Sequence, residues 1–254
     1  MTGPAPRTEW QRHRVVHRVG HSPDPWRWTP WQYVKATGRW DDPTGTYRVL
    51  YVADSVYACL VEVLAPFRPD PSLEDLYADL LGDPADGEFL TVPAGTVDRR
   101  WISERAVGTA KMTGRFVAIG HSQTLAWLRR RVPRLLLTHR ITDLDGAAVR
   151  DAEPRAFTQA LSALFYAWTD SDGTGVDGIG FRSRWGDDLH LWSIYERTQT
   201  GIDNLSPLLS DSIQENLQAD QPDLARAMTV HHLVLRPPTG MTEPARAAPD
   251  SPGT

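Results

Sequence analysis

Residues 47–66 have the sequence Tyr-Arg-Val-Leu-Tyr-Val-Ala-Asp-Ser-Val-Tyr-Ala-Cys-Leu-Val-Glu-Val-Leu-Ala-Pro, which carries the strongest structural signal in the chain. The first part, 47–53, is short and rich in β-branched and aromatic residues, which predicts a strand. The second part, 55–65, has apolar residues at the i, i+3, i+4, i+7 spacing of a core-facing helix, namely Tyr57, Leu60, Val61 and Leu64. We therefore expect a strand that leads directly into a buried helix.

Glu62 is the only charged residue inside this predicted helix, for which Asp54 or Ser55 is a suitable N-cap and Pro66 a stop signal. On the helix surface Glu62 is adjacent to the apolar stripe, which places it at the edge of the core. Two interpretations follow from the helix alone. In the first, the carboxylate contacts water or a structural arginine at the domain edge. In the second, it lies at the bottom of a functional cleft.

Composition excludes several classes of protein. The chain has 254 residues with 41% hydrophobic and 23% charged, which suits one large globular domain or two small ones. Its net charge of −5 offers no global positive surface for nucleic acid or an anionic membrane. A single cysteine excludes an internal disulfide framework, and no apolar run approaches the roughly 20 residues of a membrane span. With no signal peptide visible, we expect a cytoplasmic protein that binds neither nucleic acid nor membranes.

The chain divides into one domain with two polar ends. Residues 1–11 and 237–254 are rich in Pro, Gly and small polar residues and are expected to be disordered, which leaves 12–236 as the domain. Predicted strands are 14–19, 47–53, 88–92, 115–119, 176–182, 189–195 and 229–235. Predicted helices are 55–65, 122–132, 154–168 and 207–218. Because no alternating βαβ series is present, we expect an α+β fold, a single mixed-sheet domain with a helical insertion at about 120–170.

Two candidate site residues lie just before the helix. Tyr51 ends near the helix entry, where it either stacks on a planar ligand or closes the core. Arg39 lies in the loop Thr-Gly-Arg-Trp-Asp-Asp-Pro-Thr-Gly, and a guanidinium fixed in such a loop suits bidentate phosphate binding. The alternative is that Arg39 pairs with Asp41 or Asp42 and holds the loop together.

Two further candidates lie at predicted strand ends. Arg18 closes the first strand in front of a glycine and is a candidate for a second phosphate contact, although exposed arginines at strand ends are common. Ser183 shares an apolar strand face with Ile179 and Phe181, where a hydroxyl without a partner costs roughly 1–3 kcal/mol. Its hydroxyl therefore either caps a turn or contacts a ligand.

Other signals are weak. His231 and His232 are adjacent in a predicted strand and would point to opposite faces, which argues against a shared metal ion. No cluster has zinc-ligand spacing, and the chain contains no Walker loop and no GxSxG elbow. The glycines at 178 and 180 lack the strand, loop and helix order of a Rossmann fingerprint. The arginine run 129–131 fits a solvated helix face.

The order and spacing of the candidate residues resemble the RES-domain family, which is named for arginine, glutamate and serine. The residues that carry the resemblance are Arg18, Arg39, Tyr51, Glu62 and Ser183. The resemblance runs over about 14–196 and is closest over 38–66. The family includes toxins of bacterial Res–Xre toxin–antitoxin pairs. It implies a fold related to ADP-ribosyltransferases and an Xre-type antitoxin as a candidate partner.

The resemblance also implies an activity on NAD. NAD would be the substrate rather than a bound cofactor, and inorganic phosphate a candidate co-substrate. The nicotinamide–ribose bond would be broken by phosphorolysis or hydrolysis, or ADP-ribose would be transferred to a protein. By the same resemblance, Arg18 and Arg39 would hold the phosphates, Tyr51 would border the nicotinamide, Glu62 would face the ribose, and Ser183 would help to position the nicotinamide or its ribose. The remaining alternative is a non-catalytic module that binds a partner through its aromatic surface.

Overall fold

A closed ring of strands forms the centre of the protein. The computed structural model describes residues 5–69, 94–151, 153–197 and 205–236. The strands are β1 Thr8–His21, β2 Val49–Ala53, β3 Gly95–Val97, β4 Arg105–Ala118, β5 Gly178–Arg182, β6 His190–Tyr195, β7 Leu209–Asn216 and β8 Leu233–Leu235. Six strands form one sheet in the order β1-β2-β6-β5-β4-β7, and β1 also pairs with β4. This second pairing closes β1, β2, β6, β5 and β4 into a ring, with β7 as an added strand on β4.

The two longest strands, β1 and β4, run antiparallel with His17 opposite Thr109. The other edge of β4 is shared by two strands. Strand β7 pairs antiparallel with its first half, whereas β5 pairs parallel with residues 116–118. One parallel pair within an otherwise antiparallel sheet makes the sheet mixed, and the predicted α+β class is confirmed.

The helices lie outside the ring. They are α1 Val56–Leu64, α2 Arg99–Ser103, α3 Ser122–Arg131, α4 Pro133–Thr138, α5 Gly146–Arg150, α6 Arg155–Ala167 and α7 Pro222–Val230. Ser55 rather than Asp54 caps α1, because its Oγ accepts a hydrogen bond from the backbone N–H of Ala58 at 3.2 Å. The predicted helices 55–65, 122–132 and 154–168 correspond to α1, α3 and α6. None of the helices in the described part of the chain has the length and apolar content to cross a membrane.

Near the C-terminus one prediction is wrong and another is correct only in part. The predicted helix 207–218 is strand β7, which pairs with the free edge of β4. Seven of its eight side chains are exposed, so no apolar face favours a helix there. The predicted strand 229–235 is confirmed only for Leu233–Leu235, because residues 229 and 230 end α7, whose apolar face is buried, and a turn follows at 231 and 232.

The N-terminal prediction also needs correction. Strand β1 begins at Thr8, so residues 8–11 pair with β4 although the sequence of 1–11 predicts disorder. The predicted strand 115–119 is the last part of the much longer β4. The predicted strand 88–92 and the tail 237–254 lie outside the described residues.

Alternate residues of β2 supply two separate cores. Leu50 and Val52 belong to a smaller cluster with Trp192 and Met112, whereas Ala53 belongs to the larger cluster that the helices complete. The predicted strand face that carries Tyr51 therefore faces the helices. This places the candidate residues between the ring and the helical layer.

Candidate active site

A hydrogen bond joins the predicted carboxylate and the predicted serine. Ser183 Oγ donates to Glu62 Oε1 at 2.6 Å, and the backbone N–H of Trp185 donates to the same Ser183 Oγ at 2.9 Å. Ser183 is fully buried and Glu62 is half-buried. The predicted turn cap is therefore present, and the same hydroxyl also donates to the carboxylate; a contact with a ligand stays a prediction.

The fold brings these two residues together from distant segments. Glu62 is carried by α1, which packs against β1, β2 and α7. Ser183 directly follows β5, in the connection to β6, where its backbone N–H donates to Leu189 O at 3.0 Å. The carboxylate is thus fixed by a helix and the hydroxyl by a hairpin, both of which are anchored in the core.

Arg39 lies beside this pair. Only 8% of the residue is exposed. Its Nη1 donates to Arg150 O at 2.8 Å and its Nη2 to Arg182 O at 3.4 Å, and its guanidinium lies 4.7 Å from the ring centre of Phe181. Burial lowers the pKa of Arg39, and the negative charge of Glu62 opposes this shift. The guanidinium stays charged, because an arginine does not lose its proton in proteins.

The two aspartates after Arg39 hold the loop and not the guanidinium. Asp41 accepts hydrogen bonds from Tyr51 Oη at 2.8 Å and from the backbone N–H of Gly38 at 2.6 Å. Asp42 accepts hydrogen bonds from the backbone and side chain of Thr44 and from the backbone of two further residues; these bonds lower its pKa despite burial. The predicted pairing of Arg39 with Asp41 or Asp42 is therefore wrong.

Tyr51 connects strand β2 to the Arg39 loop. Its Oη donates to Asp41 and accepts from the backbone N–H of Trp40 at 3.0 Å, and its ring meets Phe181 edge-on. Burial and the neighbouring Asp41 charge raise the pKa of Tyr51 well above its usual value, so the hydroxyl stays protonated. The tyrosine therefore fixes the loop that carries Arg39.

Arg18 lies apart from the Glu62 and Ser183 pair. Its Nε donates to Pro25 O at 2.7 Å and its Nη1 to Tyr51 O at 2.9 Å, and burial lowers its pKa. Arg18 and Tyr51 line a cavity of about 350 Å³ together with Gly38 and Asp41 of the Arg39 loop. The structure thus brings Arg39, Glu62 and Ser183 together. Arg18 is connected to the Arg39 loop through its hydrogen bond to Tyr51 O and the hydrogen bonds of the Tyr51 hydroxyl.

Four residues near the site were not found from the sequence. The ring of Trp185 contacts the guanidinium groups of Arg68 and Arg184 and meets His231 edge-on. His231 Nε2 lies 2.7 Å from Val61 O, next to the catalytic candidate on α1. These residues come from three separate segments, so no local spacing could have indicated their contact.

The chain is similar to known proteins in its fold and in its match to a family model. Among solved structures, the chain is similar to one described as the crystal structure of the M. tuberculosis MbcT–MbcA toxin–antitoxin complex. The identity is 15%, the TM-score is 0.41, and the match covers 87% of this chain and 91% of that chain. No curated protein matches the sequence. The family model described as the RES domain matches residues 15–197, which is more than half of the chain. The protein therefore belongs to the RES-domain family.

Proposed function

We propose that this protein is an NAD-degrading enzyme of the RES toxin type, which breaks the nicotinamide–ribose bond by phosphorolysis or hydrolysis. The observation that carries the proposal is the hydrogen bond between Ser183 Oγ and Glu62 Oε1, beside the charged Arg39. Membership of the RES family supports the same activity. A separate antitoxin of the Xre type is part of the proposal.

The chemistry needs one fixed carboxylate. Breaking the bond between ribose C1′ and the nicotinamide nitrogen builds positive charge on the ribose, and the Glu62 carboxylate stabilises that charge in a site of low dielectric constant. Nicotinamide leaves as a neutral molecule, so no general acid is required. Ser183 orients the carboxylate before the substrate arrives, which lowers the reorganisation required in the transition state.

The arginines position the substrate in this proposal. A guanidinium has five N–H donors, and Arg18 and Arg39 each direct two of them to backbone carbonyls. The remaining donors are available for the phosphates of NAD. Tyr51 borders the nicotinamide and holds the Arg39 loop, so its loss would disturb both functions.

The test is NAD consumption by the purified protein with and without inorganic phosphate, with the products resolved by mass. We expect nicotinamide to be released together with ADP-ribose phosphate, or with ADP-ribose if water is the acceptor. Glu62→Gln keeps the acceptor for Ser183 and removes only the charge. It should lower the rate by a factor on the order of 10² to 10³.

The matched control is Glu215→Gln, which removes an exposed carboxylate from β7 and should leave the rate unchanged. No NAD loss by the folded wild-type protein in either condition would rule out the proposal. Transfer of labelled ADP-ribose to a protein, with slow NAD loss in its absence, would instead identify a protein ADP-ribosyltransferase.

A further inference from the structure

One indole next to the Glu62 and Ser183 pair contacts two arginines. The guanidinium carbon of Arg68 lies 4.5 Å from the ring centre of Trp185, and that of Arg184 lies 4.8 Å from it. Arg68 follows the short 3₁₀ turn at the end of α1, and Arg184 directly follows Ser183. Both arginines therefore extend from the two segments that carry the candidate catalytic pair.

The position of the indole is fixed from two sides. The backbone N–H of Trp185 donates to Ser183 Oγ at 2.9 Å. His231 meets the indole edge-on at 5.6 Å, is only 3% exposed, and is itself held by its contact with Val61 O. Trp185 is thus held directly by Ser183 and, through His231, by the backbone of α1 next to Glu62.

The two arginines have unused hydrogen-bonding capacity. Both are exposed, and within the part of the chain that the structure describes neither guanidinium group has a hydrogen bond or a carboxylate partner; Arg68 donates only its backbone N–H, to Ala65 O at 3.2 Å. Because they share one ring, their charges lie within about one Debye length of each other, roughly 10 Å at 0.1 M salt. Stacking on an indole orients a guanidinium but leaves its N–H donors free for an anion.

The positive charges of Arg184 and Arg39 act on each other beside the Glu62 and Ser183 pair. Burial is the main cause of the lowered pKa of Arg39, and the charge of Arg184 contributes to it, so these two cations are electrostatic neighbours. Glu62 is the acidic group that opposes them. An anion bound between Arg68 and Arg184 would offset the positive charges of both guanidinium groups and would gain charge-assisted hydrogen bonds.

We propose that Arg68 and Arg184 bind the diphosphate of a dinucleotide substrate at the entrance of the Glu62 and Ser183 site, with Trp185 as their platform. This inference rests on the proposed function, because it concerns the ligand of the same site. It adds Arg68 and Arg184 to the phosphate contacts that the proposed function assigns to the remaining donors of Arg18 and Arg39.

The test measures binding of ADP, which carries the diphosphate, with adenosine as the probe that lacks it. Arg68→Gln and Arg184→Gln should each raise the dissociation constant for ADP by about tenfold, because each removes a charge-assisted contact. Binding of ADP should weaken with added salt, and any binding of adenosine should not change. Arg130→Gln, an exposed arginine on α3, is the matched control and should bind ADP like the wild type.

Kinetics separate substrate positioning from a structural effect. Each variant should raise KM for NAD with kcat and thermal stability unchanged. Equal ADP binding by the wild type and the Arg68→Gln, Arg184→Gln double variant would overturn the inference. A double variant in which the KM for inorganic phosphate rises but the KM for NAD does not would also overturn it. Arginine-dependent ADP binding without NAD cleavage would contradict the proposed function only. NAD cleavage with an unchanged KM in the double variant would contradict this inference only.

Discussion

Gly38 lies where the Arg39 loop approaches β2 most closely. A Cβ at this position would be 2.4 Å from Tyr51 Oη and 2.7 Å from Asp41 Oδ1, and real Cβ atoms do not approach other atoms so closely. The hydroxyl and the carboxylate form the hydrogen bond that holds the loop. The glycine is therefore required by space and not by a left-handed backbone.

Gly38→Ala should lower the free energy of unfolding by about 1–3 kcal/mol, because the added methyl group separates Tyr51 from Asp41. Activity should fall as well, since the same loop carries Arg39. Chemical denaturation measures the first effect and NAD consumption the second. Gly146→Ala is the control, because a Cβ there has nothing within 4 Å. Equal losses in both variants would contradict the steric explanation.

His190 predicts a pH dependence of stability. Burial and the charges of Arg182 and Arg14 lower the pKa of His190 from 6.5 to about 4. Below pH 6.5 the unfolded chain therefore binds a proton that the folded protein does not, so the stability falls as the pH decreases towards about 4. His190→Gln should weaken this dependence in urea unfolding at pH 7, 6 and 5. A wild-type slope in the variant would show that His190 does not cause it.

Elements with a strong local pattern were predicted correctly, and those defined by distant partners were not. Helix α1 has an N-cap, an apolar stripe and a proline stop in its own sequence. Strand β7 has none of these signals, since its side chains are mostly exposed and only the edge of β4 defines it. The conformation of this segment therefore depends on its pairing with β4 and not on its own sequence.

The same distinction holds for the site. Glu62 was found because a lone charge in an apolar helix needs a partner, and Ser183 because a hydroxyl on an apolar strand face needs one. In the structure each is the hydrogen-bond partner of the other, a contact that the sequence did not indicate. The contact between Trp185 and His231 joins the hairpin after β5 to the end of α7, and neither segment contains a pattern that specifies the other.

Helix α1 is held between the ring and α7. Leu224, Ala227 and Met228 of α7 are buried in the same core cluster as Leu60 and Val61 of α1. His231, at the end of α7, adds its contact with Val61 O. The position of the candidate catalytic carboxylate therefore depends on an element that lies beyond the RES match at residues 15–197.

At the scale of the whole molecule, the family match and the folded unit have different limits. The ring of five strands is complete within residues 15–197, apart from the first residues of β1. Among the described residues, β7 pairs with the first half of the second edge of β4, and α7 packs against α1. The part of the chain after residue 197 is thus expected to stabilise the fold.

A chain that ends at residue 197 should therefore lose cooperative unfolding, whereas one that ends at residue 236 should keep the midpoint of the full chain. The shorter chain lacks Leu224, Met228 and Leu233, which are all buried, and burial of each such side chain contributes about 1.5–3 kcal/mol. That sum is a large part of the roughly 5–15 kcal/mol that stabilises a folded domain. Thermal unfolding followed by circular dichroism measures the difference. An unchanged midpoint in the shorter chain would mean that the ring of strands is sufficient to hold α1, and that Glu62 keeps its position without α7.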